Sequence, residues 1–114
     1  MVKHYSAKGE LTMAPFNTPS IDRLFAVILQ LQNVEECHKF FEDICTIKEL
    51  QDISQRLVVA AMLHEGKNYQ EVSRVTGAST ATICRVNKCL VYGSGGYRLA
   101  LTREAGSGEG EENQ

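Results

Sequence analysis

Apolar side chains fall into helical spacing from Ile21 onward, whereas residues 1–17 mix polar, Gly and Pro positions without a period. That first stretch reads as a flexible arm rather than a packed element. Thr18 is placed to cap a helix with Pro19 in its first turn, and Ile21, Leu24, Phe25, Ile28 and Leu29 follow at i, i+3, i+4, i+7 and i+8. Ala26, Val27 and Leu31 widen the stripe beyond what one core can cover, so the expected cover is a second subunit.

A second helix is predicted from Asn33 as cap, with Glu35 and Glu36 at its positive end and Cys37, Phe40, Phe41, Ile44 and Cys45 along one face. Thr46 and Glu49 form a capping box for a short helix carrying Leu50 and Ile53, with a bend expected near Ser54. The run from Gln55 to Glu65 contains Leu57, Val58, Val59, Ala60, Ala61, Met62 and Leu63 and stops at Gly66. It is the expected central buried helix.

After Gly66 the pattern shortens. Asn68 and Glu71 make a second capping box, and Val72 and Val75 give the helix an apolar side. Thr76-Gly77-Ala78 is a turn in which Gly77 can take a positive φ, and Ser79 caps a further helix running to about Tyr92. Ser73 is small where the two helices must approach, and Ala78, Ile83 and Val86 point inward. Such spacing is that of a helix-turn-helix over about 68–91. Ser79, Thr80, Thr82, Arg85 and Lys88 are left outward, a mixture of short polar groups and cations suited to a major groove. Lys67, Arg74 and Lys88 are the phosphate candidates, joined by free N–H groups at the start of the second helix; Gln70, Thr80 and Ala81 are the base-edge candidates. One such helix binds weakly, and useful affinity needs a symmetric pair about 34 Å apart. The competing reading of the same residues is an αα-corner without DNA contact.

Charge sharpens the choice. The 114-residue chain carries a net charge of −2, unpromising for a nucleic-acid partner until it is divided. From His64 to Arg103 six basic residues face two acidic ones, and from Glu35 to Asp52 two basic face six acidic. The last eleven residues, EAGSGEGEENQ, contain four Glu and no Lys or Arg, and residues 104–114 are expected to be a disordered acidic tail. The organisation is therefore an arm at 1–17, one helical dimerisation and helix-turn-helix domain at 18–103, and the tail.

A hydrophobic share of 43% is that of a globular domain, and 114 residues suffice for one core. The longest apolar run, Leu24 to Leu31, is too short to span a bilayer, and no leader pattern precedes it, so a cytoplasmic protein is expected. Cys37, Cys45, Cys84 and Cys89 are separated by seven, thirty-eight and four residues, without a CxxC pair, and neither His38 nor His64 completes a zinc spacing. Reduced, packed thiols and no metal are expected. Neither a paired-carboxylate nor a Cys-His pattern stands at catalytic spacing, and GSGG at 93–96 lacks the Lys of a phosphate loop, which argues against an enzyme. A protein-interaction module, docking through the apolar first helices with an idle helix-turn-helix, is the alternative function.

The stretch from about Ser54 to Leu90, with QEVSRVTGASTATICR at its centre, resembles the tryptophan repressor family, and the upstream helices agree in order and length over roughly 18–103. Within that superfamily it is similar to the uncharacterised branch. The resemblance implies an all-α, intertwined helical dimer that binds a double-stranded DNA operator as a transcriptional regulator, in the repressor mode. It implies an amino-acid corepressor site between the central and recognition helices, gripped by two arginines, and Arg56 and Arg85 match those positions. Either they hold a carboxylate or another small anion, or they pair on the surface and cap helices. Where tryptophan-binding members have Gly and Ser, this chain has Val86 and Cys89. A branched side chain in a tightly packed space leaves no room for the indole, so the expected corepressor is a small molecule other than L-tryptophan.

Overall fold

Caps written into the sequence set where the helices start. In the computed structural model, which describes residues 3–5, 11–13 and 17–112 and the side chains of 17–107, six helices follow a short strand pair. The chain divides into two compact units, residues 1–45 and 46–114.

In the first unit, β1 (Lys3–Tyr5) pairs antiparallel with β2 (Leu11–Met13), Lys3 opposite Met13. The sequence pattern expects no regular element there, because two three-residue runs are too short for alternation to show. The rest of the expected arm, up to residue 16, lies outside the described residues. α1 (Pro19–Ile28) begins with the Thr18 hydroxyl accepting from the Ile21 amide, and Leu29 closes it. α2 (Val34–Ile44) begins with Asn33 Oδ1 accepting from the Glu36 amide at 2.8 Å, and the rings of Phe40 and Phe41 meet edge to face at 5.3 Å. Neither helix fully buries a side chain, and Phe25 and Leu29 stand 52% and 80% exposed.

The second unit is built on α3 (Ile47–His64), opened by the expected reciprocal capping box of Thr46 and Glu49. The bend expected near Ser54 is absent. No Gly or Pro interrupts residues 47–64, and an exposed Ser can stay in a helix without breaking it. Nor is α3 buried all round: Val59 and Ala60 are fully covered, but Leu57 and Val58 remain 43% and 45% exposed. At its end, Gly66 takes φ +89°, with its amide bonded to Leu63 O and the Lys67 amide to Met62 O, a Schellman stop.

α4 (Tyr69–Thr76), α5 (Thr80–Tyr92) and α6 (Gly96–Glu112) complete the unit. Its core is Val59, Ala60, Val72, Ala78, Ile83, Val86 and Leu101, with Tyr97 packed against it. α6 contradicts the expected disordered tail, since the backbone is helical through Glu112. Leu101 and Tyr97 anchor its first turns, and the Arg98 Nε donates to Leu90 O at 3.0 Å. Once those turns exist, each further residue adds a backbone bond without a new nucleation cost. Among the described residues no helix is long and apolar enough to cross a membrane.

The Thr46 amide and hydroxyl hold the Glu49 carboxyl below its ordinary value of 4.5. Since the folded value is the lower one, this stabilisation is present above pH 4.5 and is lost as pH falls through the folded value. Replacing Thr46 with Ala removes the side-chain bond to the Glu49 carboxyl, though not the backbone one, and should return the Glu49 pKa part of the way to 4.5 in an NMR titration. An unmoved titration curve would rule this origin out.

Candidate nucleic-acid interface

Short helices keep an angle only when the turn between them is fixed, and here five bonds fix it. α4 starts with Asn68 Oδ1 accepting from the Glu71 amide at 2.9 Å; the reciprocal Glu71 bond of a full capping box is not formed among the described residues. α4 ends at Gly77, whose φ of +72° and amide bond to Ser73 O reverse the chain. Thr76 donates its hydroxyl to Val72 O at 2.7 Å and accepts from the Ala78 amide. Ser73 Oγ donates to Ala78 O, which explains the small residue expected there. From α3, the Gln55 side-chain amide donates to Thr76 O at 3.1 Å, tying the turn to the buttressing helix.

With the turn fixed, Ala78, Ile83 and Val86 point into the core as expected. Val75 does not, being 55% exposed, so Val72 alone carries the buried side of α4. On the outer side, Lys67, Gln70, Arg74, Ser79, Thr80, Ala81 and Lys88 are all exposed and Thr82 is half-buried. Gln70, Arg74 and Thr80 come together around one open hollow, with Tyr69, Ser73 and Ile83; Lys67 and Lys88 do not line it. Ser79 is first a cap: its oxygen accepts from the Thr82 amide, and its single proton goes to the Thr82 hydroxyl at 3.1 Å. The amides of Thr80 and Ala81 have no acceptor among the described residues, which makes the start of α5 a positive end.

The expected corepressor residues are placed less tightly. Arg56 is half-buried, while Arg85 and Cys89 are exposed. Among the described residues neither arginine has a carboxylate within ion-pair distance. Val86 is only 1% exposed, inside the core. Cys84 and Cys89 are exposed rather than packed; Cys37 and Cys45 are half-buried, and all four are free thiols. Among the described residues no group of three or more His, Cys, Asp or Glu could hold a metal ion.

Sequence reasoning misses two residues of this surface. Gln55 acts across 21 positions, a separation that carries no local signal. Tyr69 could have been flagged, as an aromatic just inside a helix cap beside polar surface has no core to enter.

The chain matches the Trp repressor protein family over residues 19–105. It is 54% identical over 83 residues to the uncharacterised protein YerC of Bacillus subtilis, covering 73% of this chain and 80% of that one. The crystal structure of a TrpR-like protein from Eubacterium eligens superposes with a TM-score of 0.76 at 46% identity, covering 79% of this chain and 93% of that one. A second crystal structure, from Staphylococcus aureus, gives 0.76 at 44% identity, covering 79% and 90%. The all-α fold expected from the helix pattern is thus shared with these proteins.

A Cβ on Gly77 would meet nothing within 4 Å, so replacing Gly77 with Ala should cost only the left-handed backbone strain, about 1–2 kcal/mol. Urea unfolding measures it. A loss well beyond that range would mean that the helix pair itself had shifted.

Proposed function

The chain belongs to the Trp repressor protein family, and from that premise we propose that it is a sequence-specific, DNA-binding transcriptional regulator of the repressor type. It acts as a homodimer in the cytoplasm on a double-stranded operator and has no catalytic role. The observation that carries this reading is the division of α5 into two faces. Ile83, Val86 and Leu90 are buried, while Thr80, Ala81 and Lys88 are exposed, Thr80 beside Gln70 and Arg74 of α4. Exposed cations supply affinity for phosphate, and short polar side chains fit a groove.

Several observations support a second copy as the partner. α1 and α2 bury nothing fully, and Phe25, Leu29, Val34 and Ile44 stand exposed in the first unit. In the second unit Ile47, Ile53, Leu57 and Val58 are exposed as well. A chain of this size leaves so much apolar surface open when a further subunit covers it. The same surface could serve a different protein, and sedimentation separates the two readings: a monomer at micromolar concentration would favour the interaction module.

For the corepressor, Arg56 and Arg85, which have no carboxylate within ion-pair distance among the described residues, favour a small anion. The burial of Val86 argues against tryptophan, because the methyl groups occupy volume that a glycine would leave open. Isothermal titration with L-tryptophan should therefore show no binding, and micromolar affinity would overturn this part of the proposal.

DNA binding itself is tested with a duplex selected from a random pool by the protein. Affinity should fall steeply with salt, and Lys88→Ala should weaken binding to all sequences while reducing the salt slope by about 1. Salt-independent retention, or a Lys88→Ala protein indistinguishable from the parent, would sink the reading.

A further inference from the structure

The outward surface of α4 and α5 mixes polar groups with exposed apolar ones, among them Val75, Val91 and Tyr92, and one apolar spot lies inside a hollow lined by the base-edge candidates. The open hollow between α4 and the start of α5 has Gln70, Arg74 and Thr80 on its lining, but its apolar groups are Tyr69, 38% exposed, and Ile83, 1% exposed. The Ser73 hydroxyl that also lines it is turned to Ala78 O at 3.1 Å and offers its proton to nothing outside. Within that lining the Tyr69 ring is an apolar spot among groups suited to base edges, and it has little to offer an ordered water. The major groove presents donors and acceptors on every base pair but one apolar group, the C5-methyl of thymine.

We infer that this hollow is a thymine-reading subsite. The C5-methyl seats against the Tyr69 ring, above the floor that buried Ile83 closes, while Gln70 and Thr80 address neighbouring base edges and Arg74 holds the flanking phosphate. The inference rests on the DNA-binding reading above and adds to it the base that one part of the surface selects. Tyr69 becomes a specificity-determining residue, through its ring rather than its hydroxyl.

Replacing thymine by deoxyuridine removes that methyl and nothing else. In a duplex selected from a random pool by the protein, each thymine is replaced in turn and binding is measured. One thymine in each half-site should weaken binding about fourfold on replacement, the worth of one buried methyl. Tyr69→Phe keeps the ring and should keep this discrimination; Tyr69→Ala should bind thymine and uracil duplexes equally. A tightly bound duplex indifferent to uracil everywhere overturns the subsite and leaves the DNA-binding reading standing. The same holds if Tyr69→Ala discriminates as well as the parent, or if Tyr69→Ala only weakens binding uniformly, as a contact to sugar would. A pool that yields no bound duplex overturns both.

Discussion

The helix-turn-helix of this protein depends on a third helix. α4 has eight residues and α5 thirteen, too short to be stable in water alone, and their angle holds because Val72, Ala78, Ile83 and Val86 close over Val59 and Ala60 of α3. Each large aliphatic side chain so buried contributes about 1.5–3 kcal/mol, whereas a single hydrogen bond of the turn contributes about 1. Packing therefore supplies the stability. Hydrogen bonds from Gln55, Ser73 and Thr76 decide which of the packable angles is adopted.

That division of tasks explains which features the sequence makes legible. Caps are local, and Thr18, Asn33, Thr46, Asn68 and Ser79 each accept the amide three residues on, at the positions that the pattern of Ser, Thr and Asn predicts. Gly66 and Gly77 are equally local, because a positive φ is a property of one residue. The inward set of Ala78, Ile83 and Val86 follows from period alone. What needs distant information is missed: Gln55 reaches Thr76 only after the chain has turned at Gly66. The helical course of residues 104–112 is missed for a related reason. Composition describes that segment in isolation, while its helix is begun by Tyr97, Arg98 and Leu101.

Site residues follow the same rule with one addition, competition for hydrogen bonds. Gln70, Arg74, Thr80, Ala81 and Lys88 are exposed where helical geometry puts them. Ser79 is exposed too, but a cap cannot offer the same proton twice, and that proton goes to Thr82. A list of outward polar residues thus overstates the groups available to a partner, and the overstatement concentrates at helix starts, where hydroxyls already have work.

The two faces of α3 have opposite needs. Val59 and Ala60 must stay fully buried to hold α4 and α5 at their angle, and any gap there would be felt along both short helices. Ile53 and Leu57, one turn apart, are not required for that contact and stay exposed, together with Val58. Evolution could have made them polar at little cost to the second unit, since nothing in its core would change. Their apolar character therefore reports a demand from outside the folded chain, and the exposed apolar residues of α1 and α2 make the same demand. One face of α3 thus holds the helix pair rigid and leaves the other face to that outside demand, which the proposed second copy would meet.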